Sequence, residues 1–153
     1  MSPGRPDENQ LERADRNWEE LLAELRVAQA GVVLLFSVLL TVPFSARFDS
    51  VTDFEKGVYL AALMLSASTT VVLIAPVALH RQLFATGHKT ELVRLGDRLT
   101  RAGLLLLALT LSAVLLLVID VVGNRGAAIA VTATFLLATI SLWFLLPRRT
   151  SNN

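Results

Sequence analysis

Val58–Leu79 reads VYLAALMLSASTTVVLIAPVAL and carries no charged residue from end to end. A membrane-crossing helix needs about 20 mostly apolar residues to traverse about 30 Å of hydrocarbon, and this tract supplies them. Moving toward the C-terminus, Ala102–Ile119 and Gly126–Leu146 meet the same requirement, the first of these reaching Val122 with Asp120 at its mouth. Toward the N-terminus, Val27–Ala46 is free of charge but contains Gln29, Ser37, Thr41 and Pro43. Its blocks Val32–Phe36 and Val38–Leu40 are too apolar for a surface helix, so it counts as a fourth span. The expected fold is an all-α integral membrane protein of four transmembrane helices, about 27–46, 58–79, 102–122 and 126–146, forming a bundle of two hairpins.

Composition narrows the function. Of 153 residues, 54% are hydrophobic and 18% charged, and the charges are gathered between the apolar tracts instead of alternating along them. A net charge of +1 lacks the basic excess of nucleic-acid binders. Without cysteine there is no disulfide, thiolate metal site or cysteine nucleophile. Two histidines that never meet a carboxylate cluster suggest no metal or other cofactor. Acid, base and activated group converge nowhere, so the expectation is a protein that is not an enzyme.

Basic residues set the expected orientation. Arg5, Arg13, Arg16 and Arg26 precede the first span. Arg81, Lys89, Arg94, Arg98 and Arg101 lie between the second and third, and Arg148 and Arg149 follow the fourth. The other two connections hold Arg47, Lys56 and Arg125. Eleven against three puts both termini in the cytoplasm of a bacterial inner (plasma) membrane. The acid-rich start, with no small-x-small site after the apolar run, reads against a cleaved signal peptide.

Outside the spans, residues 1–16 read as a disordered or partly helical lead, 17–147 as the transmembrane domain and 148–153 as a tail. Asn17 and Glu20 have capping-box spacing and predict a helix start. Leu11, Ala14, Trp18, Leu21, Leu25, Ala28 and Val32 step by three and four, one stripe running into the first span. It suits a helix that begins before the membrane and packs on its neighbours, or an interfacial or coiled-coil contact. The third helix should likewise extend into the cytoplasm, with Leu92, Leu95, Leu99 and Ala102 on one face. Arg94, Arg98 and Arg101 on another would attract anionic lipid at about 1 kcal/mol each. Gly123–Gly126 forms a tight turn, Ser45–Gly57 a short ordered cover in which Asp53 caps the second helix. Arg26, Ala30, Gly31, Leu34 and Leu35 recur 72 positions later as Arg98, Ala102, Gly103, Leu106 and Leu107, a faint repeat.

Ionisable groups at membrane depth are functional candidates by default. Glu24, Arg26, Gln29, His80 and Arg81 gather at the inner membrane face. They could form a proton path through Glu24 and His80, or a polar clamp between two helices. Asp120, an outer-face carboxylate, could pair with Arg125, bind an ion or snorkel to the surface. Ser66, Ser68, Thr69 and Thr70 in the second helix, and Gly126, Ala130, Thr134 and Ala138 in the fourth, are small and suit close helix packing. Pro43 and Pro76 each free a carbonyl one turn earlier.

The strings Asn17–Leu22 and Glu24–Gly31, the pairs Pro43-Phe44 and Arg47-Phe48, and Ala75–Phe84 together resemble an uncharacterised family of small actinobacterial four-helix membrane proteins. The similarity spans roughly Trp18 to Val122. It implies an actinobacterial membrane protein with a domain of unknown function, sometimes labelled a sodium/proton antiporter. Coupled exchange usually needs an ion site near the midplane, and no carboxylate lies there. Two functions are open: a structural or accessory protein that packs against itself or a partner membrane protein in the lipid, or a small homo-oligomeric channel or ion/proton-coupled transporter.

Overall fold

The computed structural model describes residues 10–83 and 89–145; the side chains of 10–15, 17–19, 21, 24, 79–83, 89–94 and 144–145 lie outside that description. Every regular element among the described residues is helical. α1 spans Gln10–Thr41, α2 Asp53–Leu83, α3 Lys89–Val122 and α4 Arg125–Ile140. Two 3₁₀ turns, Val42–Phe44 and Phe48–Ser50, join α1 to α2, and a π turn at Ser141–Leu145 continues α4. Four segments are long and apolar enough to cross a membrane: Leu25–Phe44, Asp53–Ala78, Leu95–Val122 and Arg125–Trp143.

α1 is helical from Gln10, so Asn17 and Glu20 lie inside it and not at its start. Gln, Leu, Glu, Arg and Ala in the residues before Asn17 are strong helix formers, and neither Pro nor Gly interrupts them. Glu20 pairs with Arg16 one turn back, at 3.8 Å. The start of α2 also differs from expectation. Asp53 is its first residue, and Thr52 does the capping: its backbone N–H and hydroxyl donate to Glu55 Oε2 at 2.5 and 2.7 Å. The Glu55 N–H donates back to Thr52 Oγ1 at 3.3 Å, completing a reciprocal box.

The buried residues of α2 fall on one line. Glu55, Tyr59, Ala62, Ser66, Thr69, Leu73 and Pro76 step by four and three, the spacing that keeps one seam of a helix facing a left-handed crossing partner. α1 answers with Leu25, Ala28, Val32, Leu35 and Leu39 at the same spacing, so the lower part of its predicted stripe is the face it turns to α2. α3 meets α2 through Gly103 and Thr110, and on its opposite side buries Ala108 and Ser112, where only α4 remains to cover them.

The helices therefore stand in a row. α2 and α3 share the most extensive interface, α1 flanks α2, α4 flanks α3, and α1 and α4 do not touch among the described residues. Outward faces are rich in large apolar side chains, among them Val27, Leu34, Leu60, Met64, Val71 and Leu137. Such continuous exposure is unlike the surface of a water-soluble monomer. The two glycines of the faint repeat also sit differently. Gly31 faces open space, whereas a Cβ on Gly103 would overlap Leu73 Cδ2 and come within 2.9 Å of its Cγ.

Leu73 is fully buried. Gly103→Ala is therefore expected to lower stability by about 1–3 kcal/mol through overpacking, read as a drop in the thermal unfolding midpoint in detergent. Adding Leu73→Ala, which removes the methyls in the way, should make the glycine substitution nearly neutral. An unchanged midpoint for Gly103→Ala alone would mean that Leu73 repacks without cost.

Candidate functional site

Proline has no N–H, so Pro43 leaves the carbonyl four residues earlier, that of Leu39, without its helical donor. Tyr59 of α2 supplies one. Its hydroxyl donates to Leu39 O at 3.0 Å in a buried setting, and Phe48 from the connection meets the Tyr59 ring edge to face at 5.3 Å. A matching tie runs the other way. Gln29 of α1 donates from Nε2 to the Leu73 carbonyl of α2 at 2.6 Å, three residues before Pro76; the carbonyl that Pro76 itself leaves without a helical donor is that of Val72. Each helix of the pair thus lends a side-chain donor to a backbone carbonyl of the other, in one case the proline-freed Leu39 O and in the other Leu73 O.

Beside Tyr59 lies a cavity of about 260 Å³ between the α1–α2 connection and the end of α3. Val42, Phe48 and Val51 wall one side and Leu117, Val118 and Val121 the other; among the described residues Arg47 and Glu55 are the charged ones that line it. One oxygen of the Glu55 carboxylate is engaged by Thr52 as described.

The residues singled out from the sequence come together only in part. Gln29 makes the cross-helix bond, and Arg26 is exposed on the outside of α1. The side chains of Glu24, His80 and Arg81 lie outside the described residues, as does that of Arg94. Arg98 is exposed, and Arg101 is exposed in an i,i+4 pair with Asp97 at 2.9 Å. Asp120 pairs with Arg125 across the turn: Nη2 donates to Oδ2 at 3.0 Å and Nε to Oδ1 at 3.4 Å. The same guanidinium stacks 3.8 Å above the Phe54 ring, tying the turn to the start of α2. Asn124 caps α4 by accepting the Ala127 N–H at 2.9 Å.

The small polar residues divide into two kinds. Thr69 and Thr110 meet between α2 and α3, their hydroxyls 3.2 Å apart and fully buried. Each hydroxyl is also within donating distance of a carbonyl on its own helix, Leu65 O at 2.7 Å and Leu106 O at 2.8 Å. Two protons thus face three bond positions. Ser66 and Ser112 likewise satisfy themselves on Leu63 O and Ala108 O. By contrast Gly126, Ala130, Thr134 and Ala138 of α4 are all exposed, and α4 buries only Ala128 fully.

Among the described residues no three of His, Cys, Asp and Glu gather as a metal site would require. Among the described residues, four helices are long and apolar enough to cross a membrane. The chain belongs to the family of unknown function DUF6328, whose family model matches residues 7–147. No curated protein and no solved structure matches it. The uncharacterised family that the α1 and α2 strings implied is thus in keeping with the family found.

Tyr59 was not among the sequence candidates, although Pro43 at four residues from Leu39 signals a carbonyl in need of a donor. Tyr59→Phe is expected to destabilise the protein by about 1 kcal/mol by leaving that carbonyl unpaired. Pro43→Ala returns a backbone N–H to Leu39 O, so in its background the same change should cost less than half as much. Equal costs in both backgrounds, measured by unfolding in detergent, would disconnect the tyrosine from the proline.

Proposed function

We propose that this chain is a multi-pass protein of the bacterial plasma membrane, with both termini in the cytoplasm, that acts without enzymatic chemistry by packing its helices against a second copy of itself or a partner membrane protein. The excess of Arg and Lys at the two ends and in the α2–α3 connection supports the orientation. In that setting the parts of α1 and α3 preceding their apolar segments extend into the cytoplasm. The outward apolar side chains of all four helices would then face lipid.

The observation that carries the reading is on α4. Small residues let membrane helices approach closely, since lipid offers no hydrophobic drive and dispersion contacts must do the work. Gly126, Ala130, Thr134 and Ala138 would normally be spent on a neighbouring helix of the same chain. Here they point away from α3, and α1 stands on the far side of the row. The buried hydroxyls of Ser66, Thr69 and Thr110 bond carbonyls of their own helices, which does not favour a solute path.

The test is extraction of the tagged full chain from native membranes in a mild detergent or polymer, with native mass and quantitative proteomics of the eluate. An assembly larger than one chain is expected, either a homo-oligomer or a stoichiometric complex. Ala130→Phe should break it, while Ile129→Phe, exposed but off the small-residue row, should not. A wild-type monomer without partner, or an assembly indifferent to Ala130→Phe, would sink the proposal.

Orientation has its own readout, because the chain has no native cysteine. A membrane-impermeant thiol reagent applied to intact cells should label Ser50→Cys and spare Ser151→Cys. The opposite pattern would invert the topology.

A further inference from the structure

α1 and α3 both pack on α2 but scarcely on each other, so a trough opens between them at the end where α1 gives way to the two 3₁₀ turns. Tyr59 forms its bed, held in place by the bond to Leu39 O and by Phe48. Its volume, about 260 Å³, is several times the roughly 30 Å³ share of one liquid water. It falls below the roughly 300 Å³ at which pockets for whole drug-sized ligands begin. A stretch of hydrocarbon chain fits such a space and a complete lipid does not. One wall is open: Val118 and Val121 are each about half exposed, so a chain could enter at the rim and leave sideways between the helices.

Charge decides what kind of chain. Glu55 spends a carboxylate oxygen on the Thr52 N–H and hydroxyl. Arg47 stands exposed at the rim, and among the described residues no carboxylate lies within ion-pairing distance of it. A cation without a partner at the mouth of an apolar trough complements a molecule with an anionic head and a hydrocarbon body. We propose that this trough binds an anionic membrane lipid, its head group on Arg47 and the first part of one acyl chain laid over Tyr59 between Val42, Leu117 and Val118. The inference rests on the reading of the four helices as membrane-spanning, which puts Arg47 at the level of the head groups. It is separate from the arginines of α3, which sit at the other end of the helices.

The full chain, purified in a mild detergent, is mixed with equal amounts of phosphatidylglycerol and phosphatidylcholine of identical chains, and the bound lipids are counted by native mass spectrometry. The wild type should hold phosphatidylglycerol about fivefold over phosphatidylcholine at one site, the effect of one arginine near an anionic head group. Arg47→Gln should abolish this preference, so that the two lipids share the site about equally, leaving any preference of α3 in place, and Arg47→Lys should keep it. Val118→Trp, filling the trough from a half-exposed position, should remove one lipid of either kind. Helical content and unfolding midpoint confirm that each variant folds. A lipid ratio unchanged in Arg47→Gln, or a lipid count unchanged in Val118→Trp, overturns the site. Recovery of the chain in the soluble fraction without detergent would instead overturn the membrane reading beneath it.

Discussion

Two carbonyls hold α1 to α2. Pro43 at the end of α1 breaks the backbone ladder, and a broken ladder in an apolar setting leaves a polar group with nothing to bond. Tyr59 answers from the facing helix, and Gln29 adds a bond in the other direction to Leu73 O. Because each donor reaches across to one fixed carbonyl on the other helix, sliding α1 along α2 or turning it about its axis would break both bonds. Apolar contacts alone would not fix this register, since Leu and Val on one helix pack nearly as well a turn higher or lower on another. The seam of Leu25, Val32 and Leu39 against Leu73, Tyr59 and Ala62 follows from that alignment.

α2 can serve both neighbours because its middle is narrow. Ala62, Ser66 and Thr69 keep the backbone accessible where α1 and α3 converge, and Gly103 makes room for the one bulky member, Leu73. Hydroxyls in that seam are tolerated because each can return its proton to its own helix, at no cost in unsatisfied groups. Beyond the seam the fold has little depth. With four helices in a row, α1 and α4 each touch one principal neighbour, and most of their surface is presented to whatever surrounds the chain.

Much of the frame was legible in the residues. Uncharged tracts such as Val58–Leu79 and Ala102–Ile119 declare helices by length alone. Leu25, Ala28 and Val32 read as one stripe, and Asp120 and Arg125 could be matched because a tight turn brings them together. Tyr59 was missed for the opposite reason. Its partner is 20 residues away on another helix, and Gln29 lies 44 residues from Leu73, so neither bond leaves a local pattern. The cap of α2 was written plainly as Thr52-x-x-Glu55 and was assigned instead to Asp53, another residue type that caps well. Small residues on α4 announced close packing without saying on what. In a helix apolar on every side, periodicity cannot tell the face that meets a neighbour from the face that does not.

The facing hydroxyls of Thr69 and Thr110 have a further consequence. Either oxygen can be the donor across the gap, and the other then gives its proton to its own backbone. The contact therefore exists in two directions of nearly equal energy without any heavy atom moving, as hydrogen bonds do in ice. A tie of that kind keeps some disorder that a one-way bond would surrender. It joins the two most extensively packed helices while leaving the polarity of the joint undecided.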